Sequence, residues 1–161
     1  MSTIHYSKTS YSFIIIGGML LGVIGIGISY YFKWGTSPIP LIVSLIVQLF
    51  FIGIILLMYR LKITIDNTHI TVTLGIGLIK NSILIKDIVM SDVKKVSIPW
   101  YYGIGIRLTP YGMLYNVKVG MALLIPSKNK GRTLLVGTND TDLLMKILFK
   151  LTNPNISKNF S

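Results

Sequence analysis

Few residues of this chain could carry reaction chemistry. All five acids are aspartate, cysteine is absent, and the two histidines, His5 and His69, have no neighbouring Cys or Glu to complete a metal site. Glutamate acid–base chemistry, thiol nucleophiles, disulfides and thiolate zinc sites are therefore excluded. Gly103-Ile104-Gly105 and Gly75-Ile76-Gly77 begin like a dinucleotide fingerprint but lack the third glycine and the βαβ unit, so both read as turns or bulges. No serine has the nucleophile-elbow context of a Ser/His/Asp enzyme. Asn139-Asp140-Thr141, formally a glycosylation sequon, stands where a helix start needs a cap. The expectation is a protein that is not an enzyme and takes no cofactor or metal.

Binding chemistry is better represented. Trp100, Tyr101, Tyr102, Tyr111 and Tyr115 place five aromatics in sixteen positions, with Gly103, Gly105 and Gly112 between them to permit bends and close backbone approach. With Arg107 and Asn116 they form a candidate binding surface or bilayer-facing edge; the competing reading is an aromatic core corner with glycines at bulges. Arg107, between Ile106 and Leu108, reads either as a paired structural arginine or as a clamp for an anion or carboxylate. Lys94, Lys95, Lys128, Lys130 and Arg132 are candidate contacts to anionic lipid, each contributing roughly 1 kcal/mol when near such a surface. Positive-inside retention and solubility would explain the same charge. Nucleic acid would also attract it, but no DNA- or RNA-reading motif accompanies it.

The elements that must hold these residues begin with two apolar runs. The chain of 161 residues is 52% hydrophobic and 13% charged, with a net charge of +11 and a mean hydropathy of +0.67, whereas soluble domains are about 25% charged. Tyr11 to Phe32 and Trp34 to Tyr59 contain no charged residue, and each is long enough for a spanning helix, which needs about 20 apolar residues. The spacing predicts transmembrane helices near 11–32 and 40–59. A signal peptide is the alternative for the first run, but it would be shorter and end at a small-residue site, and Ala122 is the chain's one alanine. The short link through Lys33, Gly35, Pro38 and Pro40 makes the two helices an antiparallel hairpin.

Lys8 precedes the hairpin and Arg60 with Lys62 follows it, while only Lys33 lies in the turn, so both termini are expected on the cytoplasmic side of the cell membrane. Tyr11, Tyr30, Tyr31, Trp34 and Tyr59 fall at the predicted ends, where amphipathic rings prefer the headgroup zone. Gly18, Gly22 and Gly25 share one helical face; that face packs against the second helix or forms a homodimer seam. Gln48, an amide deep in the second run, is expected to seek an interhelical hydrogen bond and pin the hairpin.

After Tyr59 continuous apolarity gives way to alternation, the period of strands. Lys62 to Asp66 and Ile70 to Leu74 flank a turn at Asn67-Thr68-His69. Gly75 and Gly77 turn the chain into a third strand, Leu78 to Ile85, and Lys95 to Ile98 gives another, ended by Pro99. Met121 to Ile125 and Arg132 to Val136 flank a basic hairpin tip. Leu143, Leu144, Ile147, Leu148 and Leu151 recur at helical spacing behind an N-cap at Thr138, Asn139 or Asp140. The domain reading is a cytoplasmic tail over 1–10, a transmembrane hairpin over 11–59, a domain of six or seven antiparallel strands and one helix over 60–152, and a flexible tail over 153–161.

That order, with Pro99 to Arg107, Gly112 to Val117 and Val136 to Asp140, resembles a family of small bacterial membrane proteins with a PH-like domain. The resemblance covers nearly the whole chain, departing where members often carry tryptophan and this chain has Ile104 and Met113. It implies a membrane α + β protein whose C-terminal part is a seven-stranded antiparallel barrel, closed at one end by the last helix. The expected function is a membrane-anchored interaction or scaffold module at the inner leaflet. Its partner would be a protein, a peptide or an anionic lipid headgroup, and one narrower role is protection of the membrane against a peptide toxin. The alternative is an oligomeric transport or channel subunit, built as a homo-oligomer around the hairpin.

Overall fold

The computed structural model describes residues 3–129 and 133–153. Helix α1 (Phe13–Tyr31) and helix α2 (Leu41–Met58) fall within the two apolar runs. At 1.5 Å per residue they are about 28 and 27 Å long, matching a hydrocarbon core of about 30 Å. Ser12 caps α1, its hydroxyl accepting from the Ile15 amide. Lys33 takes a positive φ of 51°, and the Trp34 amide donates back to the Ser29 carbonyl, ending the helix before the turn. No residue of α1 and only Ser44 of α2 is buried. Two helices long and apolar enough to cross a membrane thus leave more than half of their residues exposed and most of the rest only half-buried.

Strand β1 (Ile4–Tyr11) precedes α1, and β2 (Arg60–Asp66), β3 (His69–Leu74) and β4 (Ile79–Leu84) follow α2. They form one antiparallel sheet in the order β1-β2-β3-β4. The segment expected to be a tail is therefore an edge strand, registered from Ile4 opposite Asp66 to Tyr11 opposite Arg60. Its Ser, Thr and Lys residues hide the strand pattern: only Tyr6 faces the core.

A second sheet holds β5 (Lys94–Ile98), β6 (Gly105–Thr109), β7 (Gly112–Asn116), β8 (Gly120–Pro126) and β9 (Thr133–Gly137), in the order β5-β8-β9-β7-β6. Here β7 and β9 run parallel, which departs from the antiparallel expectation. Among the described residues the closed barrel implied by the resemblance is not formed: they make two separate sheets, with β4 and β6 each at an edge.

Alternation explains the packing. Leu61, Ile63 and Ile65 of β2, Ile70 and Val72 of β3, Leu123 and Ile125 of β8 and Leu134 and Val136 of β9 share one buried core with Leu144 and Leu148 of α3 (Thr141–Thr152). Each buried Leu or Ile contributes roughly 1.5–3 kcal/mol. The other face of the second sheet has its own cluster, Ile98, Leu114, Ala122, Leu124 and Leu135, against which Tyr102 packs.

Candidate functional site

The ends of the strands define where the domain meets the hairpin. Tyr11 leads into α1 and Tyr59 leaves α2, with ring centroids 6.3 Å apart, and the Ser12 amide donates to the Tyr59 carbonyl. Arg60 places its guanidinium 5.2 Å from the Tyr59 ring centroid while its Nε donates to the Gly75 carbonyl. Gly75, at φ 59°, lies so close to α2 that a Cβ there would stand 2.2 Å from the Leu57 carbonyl oxygen. Only glycine fits such a backbone approach. The next amide, Ile76, donates to the Leu56 carbonyl, so the turn between β3 and β4 rests on the last turn of α2. Gly105, at the start of β6, lies against Met58.

The aromatic segment is at this same end. Strand β5 runs toward it, with Ile98 opposite Gly120, and continues through Pro99 into a single 3-10 turn, Trp100–Tyr102. Its position is fixed by Asn116, which is fully buried: Nδ2 donates to the Gly103 carbonyl, Oδ1 accepts from the Gly105 amide, and the loop is held from inside. Gly137 leaves room for it, since a Cβ there would meet the Asn116 Cβ at 2.6 Å.

The two readings of the aromatics divide by residue. Tyr102 and Tyr115 serve the packing, and the Tyr115 hydroxyl accepts from Asn81. Trp100 is 80% exposed and Tyr101 is 63% exposed, stacked edge-on against each other. Tyr111 is exposed but belongs to the opposite end, next to Gly112, which packs on Thr133. Arg107 is exposed, its guanidinium beside Gly103, with no ion pair among the described residues.

Of the five residues of the expected basic patch, Lys94, Lys95 and Lys128 are among the described residues. Lys95 pairs with Asp142 at 2.5 Å, and Lys94 is its neighbour on an alternating strand. The Lys128 amide donates to the Asp87 carbonyl, and Ser127, Asn129 and Asp87 line a cavity with His69. That is the far end of the domain: along β2, Asp66 lies about 20 Å from Arg60 at ~3.3 Å per residue. Lys130 and Arg132 lie outside the described residues.

Three other expectations are corrected. Of Gly18, Gly22 and Gly25, only Gly22 touches the second helix, where a Cβ would come within 2.9 Å of the Phe51 ring; Gly18 and Gly25 have nothing within 4 Å. The spacing puts all three on one face, but α2 covers only its middle. Gln48 donates to Ser44 of its own helix, one turn earlier, so its hydrogen bond does not tie the helices together. Asp140 stands at the N-cap of α3 without a side-chain capping bond, because its carboxylate is taken by Lys8 and the Tyr6 hydroxyl of β1. The Lys8 and Tyr6 bonds hold the Asp140 carboxyl below its usual range, and burial and the adjacent Asp140 push the Tyr6 hydroxyl up.

A groove not expected from the sequence lies between these two edges. Lys80, Asn81 and Ser82 of β4 face Leu108, Gly112, Met113 and Thr133 across a cleft of about 410 Å³. Leu108 is 82% exposed. The signal present in the sequence was an apolar residue at the outward phase of β6; what it borders depends on long-range pairing that no local pattern encodes. No family model, curated protein or solved structure matches the chain.

Proposed function

We propose that the protein is a membrane-anchored interaction module. In this reading α1 and α2 cross the cell membrane as a hairpin, both termini lie on the cytoplasmic side, and the two-sheet domain binds a protein or peptide at the inner leaflet. The observation that carries it is the contrast in burial: the sheets enclose their own core, whereas the helices present apolar surface along their full length. Lipid would cover that surface.

The groove between β4 and β6 is the binding site of choice. Strand edges offer backbone groups to an extended segment, and the cross-strand pair Leu108 and Met113 would give it an apolar contact. Lys80 at the rim favours an acidic or carboxylate-bearing partner. A narrower form of this role is capture of a peptide toxin before it reaches the bilayer. The PH-like family resemblance belongs to the same proposal.

A second reading, an oligomeric transport or channel subunit, is favoured by the uncovered glycine face of α1 at Gly18 and Gly25. Photocrosslinking in native membranes separates the two. A crosslinker at Leu108 or Met113 is expected to yield a discrete heterologous adduct, and one at Leu143 on α3 none. Adducts only between identical chains, formed through Gly18 or Gly25, would favour the second reading instead.

A further inference from the structure

We infer that the helix-bearing end of the two-sheet domain is seated in the headgroup zone of the bilayer, with the Ile76–Leu78 turn and the Trp100–Tyr101 pair as its points of insertion. The inference rests on the reading that α1 and α2 span a membrane, and it adds that the domain does not hang free from the hairpin. The partner is the lipid–water interface itself.

Two independent routes bring the two segments to the same level. The Ile76 amide bonds to the Leu56 carbonyl, two residues before the end of α2, so this turn is level with the helix's final turn. Trp100 arrives from the other sheet, because β5 ends there and the loop after it returns to Gly105 against Met58, the last residue of α2. The headgroup layer is about 5–8 Å deep on each side of the hydrocarbon, enough to take side chains that project from the level of Leu56 to Met58.

The chemistry of the exposed side chains agrees. Leu78 is 75% exposed and Ile76 50% exposed, both in the turn that rests on the last turn of α2. Tryptophan and tyrosine are the residues that prefer the interface, their rings buried among acyl ends and their N–H and O–H groups in water. Arg60, beside Tyr59 and Gly75, supplies a cation at headgroup level. The opposite end is more polar, with Asn67, Thr68, Lys86 and Lys128 exposed beside the scattered apolar side chains of Ile4 and Tyr111.

Tryptophan depth tests this on the full chain reconstituted in vesicles of phosphatidylcholine and phosphatidylglycerol. Trp34→Phe leaves Trp100 as the sole tryptophan, and a second reporter carries Trp34→Phe, Trp100→Phe and Lys86→Trp. Trp100 is expected to emit at shorter wavelength, to be quenched by lipids brominated near the headgroup end of their chains, and to be quenched by acrylamide several-fold less than the Lys86→Trp reporter. Equal acrylamide quenching at the two positions and no quenching by brominated lipid, in protein that resists alkaline carbonate extraction, would overturn the seating while leaving the anchor intact. Release of the chain by carbonate would instead overturn the spanning reading, and the seating with it.

Discussion

At the end of the domain that meets the helices, the loops carry exposed Ile76, Leu78, Trp100 and Tyr101, whereas the opposite end presents Asn67, Thr68, Lys86, Lys128 and Asn129 around the separate apolar side chains of Ile4 and Tyr111. Positive charge does not separate the two ends: Arg60 and Lys62 stand beside the helices, Lys86 and Lys128 away from them. Along β2, Asp66 lies about 20 Å from Arg60, more than twice the Debye length of ~8 Å at physiological salt. Apolar and aromatic side chains on short turns, set against the last turn of α2, distinguish the helix-bearing end instead.

Each end also has a loop held by a polar side chain, and the two differ in what can break them. Asn116 is buried and does not titrate; it bridges the Gly103 carbonyl and the Gly105 amide. Asp66 is solvent-facing and accepts from the Thr68 and His69 amides at 2.7 Å each and from the Thr68 hydroxyl. Those backbone bonds hold its carboxyl below the usual range.

The largest effect is expected at the junction. Gly75→Val would force a β-branched side chain into a positive-φ position and into the Leu57 carbonyl, and should destabilise the protein in detergent by about 4 kcal/mol. Gly77→Ala also meets a positive φ, of 108°, but its nearest neighbour is a methyl 3.7 Å away, so only strain of about 1 kcal/mol is expected. Equal losses in thermal unfolding would mean that the turn does not rest on α2.

Next comes Asn116→Ala, which strands a buried carbonyl and amide and should be destabilising by about 3 kcal/mol. Hydrogen exchange should rise at 100–105 and stay unchanged at 66–69. If exchange rises at both ends, the two clamps are not independent.

Many of these features were legible in the sequence. The apolar runs gave the helices within a few residues, alternation gave β2 and β3, and short apolar runs on either side of a turn gave β8 and β9, because each signal is local. Strand β1 was not legible, since a polar edge strand buries only Tyr6 and its partner lies beyond the hairpin. Asp140 was misread for a related reason: its cap position is local, but Lys8 and Tyr6 reach it across more than 130 residues of chain. Trp100 and Asn116 stood out by type, yet only the β5–β8 and β6–β7 pairings show that one faces out and the other holds it there.

The smallest effect is expected at the far end, from acid. A carboxyl whose folded pKa is depressed contributes stability above its unfolded pKa, ~3.9 for aspartate, and that stability is lost as pH falls through the folded value. The turn at 66–69 should thus loosen below about pH 4 while the Asn116 loop does not, and Asp66→Ala should be destabilising by about 1 kcal/mol at pH 7, where the carboxylate is charged. Amide exchange at the two loops between pH 5 and pH 3 checks the difference, and uniform behaviour would contradict it.

The most direct test of the whole account uses the natural absence of cysteine. Ser37→Cys lies in the turn between α1 and α2, and Lys86→Cys lies at the far end of the two-sheet domain. In intact cells a membrane-impermeant maleimide should label Ser37→Cys and leave Lys86→Cys untouched until the membrane is permeabilised. Labelling of Lys86→Cys in intact cells, or protection of both positions until lysis, would contradict a hairpin that spans the membrane with its domain on the cytoplasmic side.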